Sequence, residues 1–241
     1  MPNYAGVLQR INGSARIVAD GSVGIALLYK GNQASATYTV DATGITLKHG
    51  AAGAEAADST VGASGVVADA TYTTLGAMVD AINLSPNWRA EIVDALRADT
   101  SANTLKAVSE TTISSPRKTV VPLYIDSSVA LHLSYRISAR RTNFNRRQKR
   151  SQSILRQARA LVNVGSGTLL LRVYEMTPNS DTATLLAEFT GADNTELVAP
   201  TGAFDAYIRS NTNRDLLIRY ITSVDLPDSG AYLDVAGLIE S

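Results

Sequence analysis

The residues with the most chemistry to offer are basic and lie together. Arg140, Arg141, Arg146, Arg147, Lys149 and Arg150 crowd one short stretch, with Arg156 and Arg159 close behind. No Asp or Glu occurs between Asp126 and Glu175. Such local positive charge attracts phosphate or an acidic protein surface, and Phe144 adds a ring able to stack. One chemistry is binding of a nucleic-acid backbone with release of counterions. The other is a contact with the acidic face of a neighbouring subunit, beside the plain alternative of a solvated loop. Lys+Arg and Asp+Glu are each 22, so the formal net charge is zero. No second basic patch extends the first, and nucleic acid is therefore the lesser reading.

The remaining catalytic vocabulary is thin. There is no Cys, hence no disulfide framework and no thiolate nucleophile or ligand. His49 and His132 are the two histidines, too few for a multi-histidine metal centre, and neither sits near a nucleophile motif. Asp181, Glu188, Asp193 and Glu196 fall among turn-forming residues, and the Asp193–Glu196 run lacks the spacing of a calcium loop. Gly165-Ser166-Gly167 lacks the ending of a phosphate-binding loop and reads as a turn. Trp88 reads as core. The expectation is a protein that is not an enzyme and uses no metal or cofactor. Tyr124, Tyr135, Tyr174, Tyr207, Tyr220 and Tyr232 leave open a platform for stacking on sugars.

The elements that must carry these residues are mainly strands. Ala36, Tyr38 and Val40 alternate with Thr37 and Thr39, the segment Asp41-Ala42-Thr43-Gly44 supplies a turn, and Ile45 with Leu47 resumes the alternation, which predicts a hairpin. Residues 50–70 are almost all small and predict a flexible loop or subunit-contacting arm. Leu75, Met78, Val79 and Ile82 recur at helical spacing behind a capping threonine, predicting a helix over 74–83. From Trp88 the pattern admits helix or strand, and the resemblance given below implies a strand at its start. The polar stretch Ser109–Lys118 reads as a domain boundary. Beyond it, alternation such as Val129, Leu131, Leu133, Tyr135 and Ile137 repeats between turn residues every 10–15 positions or so, as in a sandwich or jelly roll. Gly165–Gly167 is read as joining two of these strands into a hairpin. The expected layout is an α+β domain over 1–112 and an antiparallel, jelly-roll-like β-sandwich over 118–241.

The run ATYTVDATGITLKHG, followed by YTTLGAMVDAINLSPNWRAEIV, resembles a module of tailed-bacteriophage virion proteins. There a β-hairpin leads to a short LxxLVDAIN-like helix and then a strand of the form P-x-W/Y-x-A. Flagellar hook-associated and capping proteins carry a similar helix phrase. The likeness covers about residues 34–95. The later text LHLSYRIS, the arginine-rich stretch and RALVNVGSGTLLLRVYE are similar in texture to β-rich virion domains. The resemblance implies a structural role in a phage particle, with capsid decoration (cement) favoured over neck, tail or fibre. It also implies a homotrimer over capsid-subunit junctions, the major capsid protein or other virion proteins as partners, and Arg140–Arg150 facing acidic capsid surface. The virion is the expected location, after synthesis in the host cytoplasm. The N-terminus does not read as a secretory signal, and the longest apolar runs fall far short of a bilayer span. A carbohydrate- or receptor-binding sandwich, as in a tail fibre or adhesin, is the alternative.

Overall fold

Alternating apolar and polar residues recur along the chain, and the described residues fold accordingly as antiparallel sheet with one helix. The computed structural model describes residues 8–16, 23–102, 104–114, 120–126, 132–137, 152–161, 168–177, 182–192, 197–199, 208–211, 214–222 and 232–240. The first elements are β1 (Leu8–Arg16), β2 (Val23–Tyr29), β3 (Ser35–Asp41), β4 (Gly44–Ala51), β5 (Ala54–Ala57) and β6 (Val66–Ala68). Then come α1 (Leu75–Asn83), β7 (Trp88–Ile92), β8 (Val108–Ser114), β9 (Val120–Tyr124) and β10 (His132–Ile137). The last are β11 (Gln152–Leu161), β12 (Thr168–Met176), β13 (Ala183–Ala192), β14 (Leu197–Ala199), β15 (Ile208–Arg209), β16 (Asp215–Thr222) and β17 (Tyr232–Glu240).

These elements form two compact units, residues 23–130 and residues 1–22 together with 131–241. The boundary expected at 109–118 falls inside the first of them. β8 pairs with β3, and β9 pairs with β2, so both flanks of that polar stretch belong to one unit. Local polarity marks a loop here, whereas the division between units is set by long-range strand pairing.

In the unit 23–130, β5-β4-β3-β8 form one sheet, with β6 also on β4, and β7-β2-β9 form another. Thr74 caps α1, its hydroxyl accepting from Ala77 N at 3.2 Å. The next amides, Leu75 N and Gly76 N, donate to the carbonyls of Asp99 and Arg97. The helix buries Leu75, Met78, Val79 and Ile82, the face read from the sequence. These join Ile25, Leu27, Ile45, Leu47, Trp88 and Leu123 in one core. At about 1.5–3 kcal/mol per large side chain, that face holds the helix in place. β7 shows the strand alternative for Trp88 onward to be the correct one, because Trp88, Ala90 and Ile92 are buried while Arg89 and Glu91 are exposed.

Residues 50–70 differ from expectation. They supply β5 and β6, both on β4, and bury Val61 and Val67 completely. Small residues were read as loop, but here they permit close backbone approach. Gly62 adopts φ 51°, and a Cβ there would stand 2.0 Å from Val66 O. Only glycine tolerates both conditions.

The other unit is built from β1 and the strands from β10 on. One sheet runs β1-β17-β11-β14, with β15 also on β11, and the other runs β10-β16-β12-β13. All pairings are antiparallel. With β14 and β15 counted together, the first sheet takes the first, eighth, third and sixth strands of this unit. The second takes its second, seventh, fourth and fifth. That order is a jelly roll. Leu171, Val173, Leu216, Ile218, Tyr220 and Ile137 share one face of the second sheet by register and are buried. β11 and β12 lie in different sheets and do not pair, so they do not form the expected hairpin; Gly165–Gly167 lies outside the described residues.

Candidate interaction surface

The sequence-derived candidates Arg140, Arg141, Arg146, Arg147, Lys149 and Arg150 lie outside the described residues, as do Asp181, Asp193, Glu196 and Tyr207. They fall between or beside strands whose pairing is clear. The basic stretch runs from β10 to β11, which belong to opposite sheets. Its neighbour Arg136, on β10, is part of a charged cluster on the face of the second sheet opposite Leu216, Ile218 and Tyr220.

That face is set by strand alternation. Where Leu216, Ile218 and Tyr220 point into the jelly roll, Asp215, Leu217 and Arg219 occupy the opposite side of β16. Arg136 reaches Asp215, its Nε donating to Oδ2 at 2.8 Å. The Asp215 side chain is fully buried and that of Arg136 nearly so. Further along, Arg172 on β12 donates from Nε to Glu188 Oε2 on β13 at 2.6 Å, bridging a cross-strand pair. The Glu188 hydrogen bond raises the Arg172 pKa against the opposing effect of burial. Arg172 and Arg219 stand directly opposite each other in register, which like charges tolerate only with compensating partners.

β13 forms the margin of this sheet. Among the described residues its ladder partner is β12 alone. Its pairing shifts at Val173/Tyr174: Val173 faces Ala187 and Tyr174 faces Leu185, leaving Leu186 as an extra residue. Leu185 and Leu186 are both exposed, at 47% and 39%. The strand ATLLAEFTGA contains no Lys, Arg or Pro, the residues that commonly blunt an edge.

A second polar cluster occupies the unit 23–130 and was missed in the sequence. Asp58 is buried just after β5. Its Oδ1 accepts from Thr60 N at 2.9 Å and Thr60 Oγ1 at 2.6 Å. Its Oδ2 accepts from Trp88 Nε1 at 3.0 Å, Asn87 Nδ2 at 3.1 Å and Ser85 Oγ at 3.4 Å. His49 Nε2 stands 3.4 Å from the same oxygen, and its ring stacks on Tyr29. Burial pushes the Asp58 carboxyl up, but hydrogen bonds from the Thr60 hydroxyl and amide and from Asn87, with the field of His49, hold it below its usual range. A carboxylate has about four acceptor sites, and these donors occupy them. Asp58 therefore clasps β4, the 58–60 turn and the 85–88 turn. The available signal was Trp88: a buried indole N–H needs an acceptor, and Asp58-Ser59-Thr60 is a local turn sequence.

Of the six tyrosines, the described side chains differ in their surroundings. Tyr220 is fully buried, Tyr174 falls on the opposite face of the same sheet, and Tyr124 belongs to the other unit. Trp88 is core, as expected. Among the described residues, no group of three or more His, Asp and Glu side chains could hold a metal ion, and no helix is long and apolar enough to cross a membrane.

No family model matches the sequence, and no curated protein matches it. Solved structures similar to this chain include that of the infectious bursal disease virus Gx strain. It is 11% identical, with 98% of this chain and 71% of that one covered and a TM-score of 0.25. Infectious bursal virus derived T=1 particles show 12% identity, 98% and 69% coverage and a TM-score of 0.21. The infectious bursal disease virus VP2 subviral particle shows 12% identity, 98% and 71% coverage and a TM-score of 0.19. Likeness at this level transfers no residue role to this chain.

Proposed function

We propose that the protein is a non-enzymatic structural component of a virus particle, which works by covering surface between neighbours. Within that class we favour a capsid decoration protein of a tailed bacteriophage, assembled as a homotrimer and bound to the major capsid protein. The observation that carries the reading is β13, a ten-residue sheet margin with two exposed leucines and no Lys, Arg or Pro. A strand of this kind invites pairing or packing with another chain. Two features add support. Jelly rolls serve in viral capsids, among other roles. The hairpin β3–β4, helix α1 and strand β7 occur in the order of the phage module that residues 34–95 resemble. Fold alone does not assign function, so assembly has to be measured.

Light scattering on the purified chain tests it. We expect a mass that is a multiple of the 25.5 kDa protomer, or stable attachment to capsids. The double substitution Leu185→Lys and Leu186→Lys should preserve the circular dichroism spectrum and reduce assembly. A parent chain that stays monomeric and ignores particles would sink the proposal.

A further inference from the structure

The unit 23–130 contains a cavity of about 140 Å³ that neither the clasp nor the β13 margin uses. Asp41, Asp69 and Asp126 line it together with Ser101, Met78 and Leu105. The size resembles that of a cavity of about 150 Å³ that takes a benzene ring, and a planar guanidinium is smaller. Ser101 is 2% exposed, and its Oγ has no hydrogen-bond partner. Its backbone is fixed: Ser101 N donates to Thr73 O at 3.1 Å, and Thr104 N donates to Ser101 O at 3.2 Å. A buried hydroxyl in a cavity wall, with no partner from the chain, can donate to or accept from a polar group that enters the cavity.

Two features narrow the ligand. Among the described residues no group of three acids could hold a metal ion, these included. Acids spread around a cavity suit an extended cation instead, and a guanidinium presents five donors in a fixed plane. Met78 and Leu105 supply apolar wall for the alkyl stem of such a side chain. Asp41 is held ionised at neutral pH because the Thr43 hydroxyl and amide donate to it.

The chain also carries the complementary group. Its basic stretch has no acid between Asp126 and Glu175, while the unit 23–130 holds more acidic than basic residues. We propose that the cavity is a guanidinium-binding site that takes an arginine from the Arg140–Arg150 stretch of a second copy of the chain. This rests on the assembly reading above and names where the basic stretch docks.

The probe is a fluorescein-labelled peptide of residues 139–151. It is titrated at ~0.15 M salt, where exposed charges are screened beyond ~8 Å. The receptor is the full chain carrying Arg146→Ser, Arg147→Ser and Arg150→Ser, so that its own stretch does not compete. We expect saturable one-to-one binding. Asp41→Asn, Asp69→Asn and Asp126→Asn combined should weaken it at least tenfold, and Ser101→Ala alone about threefold. Replacing the peptide arginines with lysine should also weaken it, because the planar fork is lost. Because the triple variant can lose its fold, the milder Ser101→Ala and single Asp126→Asn chains, checked by thermal melting, keep the test decisive. Absence of peptide binding, equal binding to the folded cavity variants, or displacement by calcium chloride at constant ionic strength would overturn the site. Assembly by light scattering reads separately. An assembling parent whose cavity ignores the peptide overturns this site alone, whereas a monomeric parent that binds the peptide overturns the assembly reading and the second-copy source.

Discussion

At the scale of single residues, two buried carboxylates do most to fix local structure. Asp58→Ala would strand the fully buried Trp88 indole N–H and remove one partner of the half-buried Asn87 amide. Each unpaired buried donor costs about 1–3 kcal/mol, so urea denaturation should show a loss of roughly 3 kcal/mol or more. The same carboxyl shapes the acid limb of stability. Its folded pKa lies below the unfolded value of about 3.9. Its contribution is therefore fully present above that value and is lost as pH falls through the lower folded pKa. Stability of the parent should drop as pH goes below about 4, and Asp58→Asn should flatten that drop in a pH series of denaturation midpoints. Arg136–Asp215 behaves differently because both partners are charged and buried. Asp215→Ala removes the buried carboxylate to which Arg136 donates and should cost about 3–5 kcal/mol. The pair Arg136→Met with Asp215→Leu should recover most of that loss, since a buried ion pair often gives little net stability over an apolar one. A double-mutant cycle in urea reads the difference.

At the scale of elements, α1 depends on its cap and on its tether to β7. Thr74→Ala removes the acceptor for Ala77 N and should lower stability by about 1 kcal/mol. Asn83 acts as a surrogate peptide at the other end of the helix: its Nδ2 donates to Ala90 O at 3.0 Å and its Oδ1 accepts from Ala90 N at 2.9 Å. The β3–β4 turn depends on Gly44, at φ 134°, where a Cβ would stand 2.2 Å from Val67 O on β6. Gly44→Ala should displace β6 as well as strain the turn, costing more than the ~1 kcal/mol typical of an exposed glycine position. Hydrogen exchange should then rise at Val66–Ala68 before it rises in α1.

At the scale of the whole molecule, the arrangement of strands dictates which fragments fold. β1 pairs along its full length with β17, which also pairs with β11. A fragment of residues 118–241 therefore loses β1 and exposes a long flank of β17, and it should aggregate on expression. Residues 23–130 begin and end beside each other, Val23 pairing with Tyr124, and they hold a complete apolar core. That unit should fold alone with a cooperative melt, as adjacent termini allow for an inserted domain. Residues 1–22 joined through a short glycine-serine linker to 131–241 should also fold. Circular dichroism and gel filtration of the three pieces check this, and a soluble, cooperatively folding 118–241 fragment would refute it.

The sequence by itself determined the β-rich class, the hairpin around Asp41–Gly44, the apolar face of α1 and the burial of Trp88. Each of these follows from periodicity or turn chemistry over a few neighbouring residues, and such preferences act locally. Tertiary structure decided the rest. It recruited β1 to a sheet whose other strands lie more than a hundred residues away, a pairing that no local signal encodes. It turned the small residues of 50–70 into β5 and β6, because the margin of β4 supplied hydrogen-bond partners and the glycines admitted the close approach. It brought Asp58 together with the distant pair Asn87 and Trp88 in one clasp, and set Asp41, Ser101 and Asp126 around one cavity. Those groupings depend on which distant strands pair, and pairing is settled by burial of the common core rather than by any residue's own preference.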